Sequence, residues 1–498
     1  MKLFEFVALG CVSARFVDVI DTHEILPLER FARKKAGVRK EKPDCIKDYQ
    51  SPSADALQKA NRYLEGHGVF DGHNDLPMTY TYLTPKNQDL SKINLYEREP
   101  PGQSDPNIWP QNSQTTIPLA KEGQLRAQFW SIYWGCSSNG KDAVLWALEQ
   151  IDVAKRMIEK HDEFIVPKTA NEAEALIRDA KYRKGYRKRE RTILGCGHMI
   201  GESLAVLRQF YDLGVRYMTL THSCDLPWVT SSNADSKTDV GLSEFGVKVV
   251  QEMNRMGMIV DLSHVSSQTM RDALGNVTAP VMFSHSSARA IADHPRNVPD
   301  DVLQMVKTNN GVVMVVFYAG FVKRGAVEYD EDGNTVNICI TADDVVDHMM
   351  HIGELIGWDH VGIGADYNGA EDFLLTQKER SNVSSYPLVF GKLIERLEKL
   401  PQYAEAEIES IVQRIASDNI LRVWKDVEEE AQKLQNEKEP DWSWIPETDR
   451  TWDESNSYTC KSGRDWPEEG EEKDEGNSAF SKSAGVFTFV FALFLINF

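Results

Sequence analysis

The chain has 498 residues, 41% hydrophobic and 27% charged, close to globular averages, which argues against wholesale disorder and for one large domain with extensions. Its formal net charge of -20 argues against a nucleic-acid partner, because neutralising phosphates takes clustered Lys and Arg. The one basic run, Lys181 to Arg191, reads as a solvated loop or helix face.

In chain order, residues 1–15 read as a signal peptide with an apolar stretch interrupted by Glu5. Residues 16–65 form an N-terminal extension that begins polar and turns helical near Ala54 to Leu64. From 66 to 426, eight short apolar or β-branched runs alternate with helix-like stretches: Val69 to Asp75, Ala127 to Trp134, Thr192 to His198, Arg216 to His222, Met258 to His264, Val281 to His285, Val312 to Phe317 and His360 to Asp366. Alternating strand and helix implies parallel strands with crossover helices. Eight repeats is the number that closes a (β/α)8 TIM-type barrel, so the fold class is α/β and the barrel is preferred to an open doubly wound sheet. Residues 427–477 read as a peripheral, acidic, Trp-rich tail. Residues 478–498 end in an uncharged apolar stretch from Gly485, too short for a bilayer span of about 20 residues. They fit a GPI-anchor signal removed on maturation, with attachment at Gly476, Asn477 or Ser478. The sequons at Asn276 and Asn382 are compatible with glycosylation in a secreted protein. Seven cysteines are too few for a disulfide scaffold, although those left after Cys11 departs with the signal peptide could pair.

Barrel active sites lie at the C-terminal ends of the strands, so polar residues closing apolar runs converge on one pocket. Here those ends carry His73 and Asp75, then His198, His222, His264, His285 and Asp366, so five of twelve histidines close predicted strands. His73 and Asp75, two apart, point to the same side of a strand and suit one metal ion. Singly each His is more often a satisfied core residue; as a set they favour a metal site, and neutral imidazole suits zinc. Asp366 is positioned to take a proton from a water and pass it to a leaving amine, or alternatively to cap a helix. His222 fits a substrate or oxyanion donor better than a ligand. Arg296, in a Pro-rich loop, suits a bidentate clamp on a carboxylate, although a loop Arg is more often at the surface.

The strings DGHNDLP, QFWSIY, RYMTLTHSCDLPW, GLSEFG, DLSHVS, VMFSHSSAR, RNVPDDVL and VGIGADYNG resemble the membrane (renal) dipeptidases of the amidohydrolase-like barrels, over roughly Gly68 to Trp424. The resemblance implies zinc-dependent cleavage of dipeptides, including those with a C-terminal D-residue, by a hydroxide shared between two zinc ions. By motif position His73 and Asp75 hold one zinc, His264 and His285 the other, His222 and Arg296 grip the substrate, and Asp366 shuttles the proton. It further implies a GPI-anchored, glycosylated, disulfide-linked homodimer at the cell surface, with an internal disulfide at Cys136 and Cys224 and Cys460 between subunits. Cys339 lacks its expected partner.

One departure stands out. The family's third strand carries a Glu that bridges the two zincs, and this chain has Gly195 there, in Ile193-Leu-Gly-Cys-Gly-His198. Without that shared carboxylate two dications lose their common anion and repel each other. Glu202, expected in the following helical segment, is poorly placed to replace it. Two readings stay open: a natural variant with impaired catalysis that keeps the barrel for binding, or an altered reading of the stretch Lys181 to Cys196, which the intact pattern on either side favours.

Overall fold

A computed structural model describes residues 49–446 apart from 84–89, 91–93, 97–113, 140, 180–188, 234–238, 330–334, 339 and 370–381. The signal peptide, most of the N-terminal extension, Cys339, Cys460, the tail beyond 446 and the anchor site at 476–478 lie outside the described residues. So does most of the basic run.

All eight apolar runs form strands, here β1 (Val69–Asn74), β2 (Leu125–Ile132), β3 (Arg189–Cys196), β4 (Val215–Thr219), β5 (Ile259–Asp261), β6 (Met282–Ser286), β7 (Val312–Val315) and β8 (Val361–Ile363). Each pairs in parallel with its neighbours, and β8 returns to β1 through Asp71 opposite Ile363. The result is a parallel α/β sheet curled round on itself, consistent with a TIM-like barrel. Strands covered by helices on one side and packed side chains on the other should read as continuous apolar runs; residues of β1, β5, β6, β7 and β8 are buried throughout.

The crossover helices start where local chemistry says they should. Ser203 accepts from the Val206 amide, Ser243 from Gly246 and Ser266 from Thr269, each hydroxyl satisfying one orphan donor of the first turn. Thr341 and Asp344 form a reciprocal capping box ahead of the helix Ala342–Ile356. Helix Glu244–Met256 stops at Gly257, whose φ of 84° is the left-handed conformation a side chain resists.

The barrel interior is filled rather than hollow. Phe129 meets Tyr217 edge to face at 4.8 Å and Phe70 at a tilt at 4.9 Å between ring centroids, and Trp424 closes the cluster 6.0 Å from Phe129. Trp424 belongs to helix Asn419–Glu437, which continues to bury Val427, Ala431 and Leu434. This corrects the expected boundary between 426 and 427: it cuts a helix whose apolar face continues past it, and the peripheral segment begins after that helix. At the other end, helix Ala54–Leu64 lies against helix Tyr386–Leu397, with Ser53 donating to Glu395 and Lys59 paired with Glu398. Its buried Ala60, Tyr63 and Leu64 join the main core, so this part of the extension packs as domain.

Candidate metal centre

β1 delivers His73, and the chain then carries Asp75 out over the C-terminal mouth of the barrel. His73 Nε2 lies 3.1 Å from Asp75 Oδ2 and 3.7 Å from Asp366 Oδ1. From across the barrel, β6 brings His285, whose ring stacks on that of His73 at 3.9 Å. Ligand atoms of His73, His285 and Asp366 all lie within 4.8 Å of one another, a spacing suited to one metal ion. His264 joins them, with Nε2 2.9 Å from His285 Nε2. Five of the residues picked out by sequence are therefore brought together, although they come from 73 to 366 in the chain.

Two of them sit in strained backbone. Strands β5 and β8 end three residues before His264 and Asp366, which have φ of 68° and 67°. A left-handed non-glycine residue costs on the order of 1–3 kcal/mol and persists only where surrounding contacts impose it. The His264 carbonyl is held by the Ser232 amide at 2.7 Å, and the Asp366 amide by the His73 carbonyl at 3.3 Å.

The electrostatics divide the histidines. Burial pulls His73 down, but the Asp75 carboxylate, then Asp366 and Asp261, outweigh it and hold the imidazole at about 9. His285 is lowered far below its ordinary value by burial, His73 and Arg296, and His264 by burial, Arg296 and the neighbouring imidazoles. Those two are neutral and offer lone pairs, the state a metal requires. Burial raises Asp366 to about 7, with Asp75 acting in the same direction and His73 and Arg296 against it. Nitrogen and carboxylate donors at this spacing fit a divalent metal. Gly369 supplies the room, since a Cβ there would fall 2.2 Å from Asp75 Oδ2 and 2.7 Å from Asp366 Oδ1.

His222 lies on the rim, its ring stacked 4.1 Å from His264 and its Nδ1 within reach of Ser223 Oγ (2.7 Å) and Tyr133 Oη (3.1 Å). The neighbouring Cys224 forms a disulfide with Cys136, which tethers the loop after β2 to the loop after β4. Arg296 is buried: Nη1 donates to Ser286 Oγ at 3.3 Å, Nη2 to the His285 carbonyl at 3.2 Å, and the guanidinium lies 4.9 Å from the centre of the Phe321 ring. Its Nε is buried with no hydrogen-bond partner among the described residues. Burial lowers Arg296 to about 10, with Asp366 and Asp261 pulling the other way, so it remains a cation at neutral pH.

The profile of the membrane dipeptidases (peptidase family M19) matches residues 57–438. The chain belongs to the membrane dipeptidase family. It is 38% identical over 403 residues, 78% of this chain and 87% of the relative, to an uncharacterised dipeptidase of Schizosaccharomyces pombe. Two solved structures share the fold at lower identity. One, a metallopeptidase from Rhodobacter sphaeroides liganded with a phosphinate mimic of the dipeptide L-Ala-D-Ala, has a TM-score of 0.56 and 21% identity, over 73% of this chain and 99% of that one. The other, the metallopeptidase dipeptidase AC, has a TM-score of 0.57 and 22% identity, over 73% and 99%. This chain is thus a metallo-dipeptidase of that family, and its family implies a metal cofactor.

In this dipeptidase Gly195 is the penultimate residue of β3, paired with Ile132 of β2 and Met218 of β4. The strand is in place, but that position has no side chain. Glu202 does not lie in a helix, as expected from sequence: it occupies the turn before helix Leu204–Asp212, with φ of 58°. His198, also closing a predicted strand, stays outside the metal cluster; it sits in a 3-10 turn with Nε2 on the Trp134 carbonyl, and burial lowers it to about 4.

Sequence reasoning missed the layer behind the ligands. The hydroxyl of Tyr217, on β4, lies 3.1 Å from His73 Nδ1. Ser284 Oγ lies 2.7 Å from His285 Nδ1, and Asp261 accepts from Ser284 Oγ, Thr219 Oγ1 and the amides of Ser263 and Ser284. The signals were present, since Asp261 and Ser284 fall inside motifs quoted for their histidines, but nothing in the string distinguishes a hydroxyl that faces an imidazole from one that does not.

Proposed function

We propose that this chain is a zinc-dependent dipeptidase of the cell surface, acting on dipeptides that include those with a C-terminal D-residue, with one zinc in place of the family's two. The observation that carries this reading is the convergence of His73, His285 and Asp366 on one metal-sized space, with Asp75 3.1 Å from His73 and no carboxylate at Gly195 to hold a second ion. His73 and Asp75 with His285 would hold the zinc, and His264 stands beside them. When bound, zinc polarises the scissile carbonyl and makes water a better nucleophile. Asp366, with a carboxyl raised to about 7, accepts the proton of the attacking water and returns it to the leaving amine, the job for which a pKa near the working pH is best. Arg296 holds the substrate carboxylate, where its unpaired Nε finds an acceptor. His222 donates to the carbonyl oxygen as charge develops on it.

The second reading, a catalytically impaired binding protein, rests on Gly195 alone. The two are separated by assaying the purified full chain on a glycyl-D-amino-acid dipeptide while counting its metal. Turnover that a chelator abolishes and zinc restores, and that falls on the order of 10²- to 10⁴-fold in Asp366→Asn, is expected. No turnover with zinc bound would sink the enzyme reading and leave the binding one.

The apolar stretch from Gly485, with small residues at 476–478, supports a lipid anchor, and Cys460 supports a disulfide to a second copy. Among the described residues no helix is long and apolar enough to cross a membrane.

A further inference from the structure

We propose that Tyr217 and Ser284 are positioning residues that set the tautomers of His73 and His285, so that both imidazoles present Nε2 to the metal. A neutral imidazole carries one proton, and which nitrogen holds it is decided by the partner of the other. Tyr217 Oη donates to the Gly72 carbonyl at 2.9 Å, which uses its one proton. Toward His73 Nδ1, 3.1 Å away, the hydroxyl oxygen therefore accepts, and Nδ1 must carry the hydrogen. In the neutral ring that a metal requires, the lone pair is then left on Nε2, the atom facing Asp75 and Asp366, whose carboxylates otherwise favour a proton there.

The second relay has the same logic with different chemistry. Ser284 Oγ donates to Asp261 Oδ2 at 2.6 Å, which commits the one proton of the serine hydroxyl. Thr219 Oγ1 and two backbone amides also donate to Asp261, fixing a fully buried side chain. Ser284 Oγ must then accept from His285 Nδ1, 2.7 Å away, and His285 Nε2 is free to ligate. Tyr217 and Ser284 belong to β4 and β6, so the barrel wall itself sets both tautomers.

The inference rests on the metal reading above, and its test separates the two. Zinc affinity of the full chain is measured by competition with a chromophoric chelator, with the absorption of the cobalt-substituted protein as a second readout. Tyr217→Phe and Ser284→Ala are each expected to raise the zinc Kd by about 10- to 100-fold and to alter the cobalt spectrum. Tyr386→Phe removes a comparably buried hydroxyl, donated to Asp71, and is expected to keep the parent affinity even if its melting temperature falls. A parent chain that binds no zinc overturns the metal reading. A parent that binds, with a folded Tyr217→Phe or Ser284→Ala variant of unchanged affinity and spectrum, overturns only the tautomer assignment for that histidine.

Discussion

At the scale of single residues the centre depends as much on absent atoms as on present ones. Gly369 shows this most directly, because the space a Cβ would occupy is already bounded by Asp75 Oδ2 at 2.2 Å and Asp366 Oδ1 at 2.7 Å. Gly369→Ala must push both carboxylates aside, and a displacement near 1 Å at a reacting centre costs about 10²-fold in rate. We expect kcat/KM on a dipeptide to drop by that order while the melting temperature changes little; parent-like turnover would show that the carboxylates are not held there. Gly195 is the opposite case, a position with no side chain where the resemblance implies a bridging carboxylate. His73 and Asp75 were legible in the sequence because period-2 geometry is local. Tyr217 was not, because it reaches His73 from 144 residues away, and only the curvature of the sheet brings them together.

Among the elements, the helix caps at Ser203, Ser243 and Thr341 act within three residues, whereas strand ends depend on more distant contacts. The apolar runs predicted strands reaching His264 and Asp366, and the structure stops each three residues earlier and reverses the backbone through positive φ. At that reversal His264 and Asp366 leave their strands and come beside His285 and His73. Elements from distant parts of the chain are tied together at one cluster, where Asp418 in the π-turn Arg414–Asp418 meets His67, just after helix Ala54–Leu64, and Arg178 at the end of helix Ala170–Arg178. Burial pushes the Asp418 carboxyl up, but hydrogen bonds from His67 and Arg178 outweigh it and hold it below the ordinary carboxylate value. A depressed folded pKa contributes stability above the unfolded value, about 3.9, and loses it as pH falls through the folded one. Asp418→Asn should therefore destabilise the protein at pH 7, by about 1–3 kcal/mol for a partly buried network that loses its charge. The gap to the parent should close below about pH 4. Denaturant midpoints across that range check it, and a pH-independent gap would remove the ionic explanation.

For the whole molecule, the proposed anchor can be tested on cells. The full chain is expected at the outer surface and to be released by a phosphatidylinositol-specific phospholipase, because a GPI signal leaves the mature protein held by lipid alone. Protein that stays on the membrane after that treatment, or is secreted without it, would dismiss the anchor. By itself the sequence determined the eight strands, the order of their crossovers and which residues are candidate ligands, since strand and helix periodicity and residue chemistry are properties of short stretches. It also determined that Gly195 carries no bridging carboxylate. Tertiary structure alone decided which donors share one space, how Tyr217, Ser284 and Asp261 stand behind them, and where the domain ends, because Trp424 and Val427 complete a core whose other residues lie up to several hundred positions away. Those facts depend on the closing of the sheet, a long-range event that no local pattern encodes.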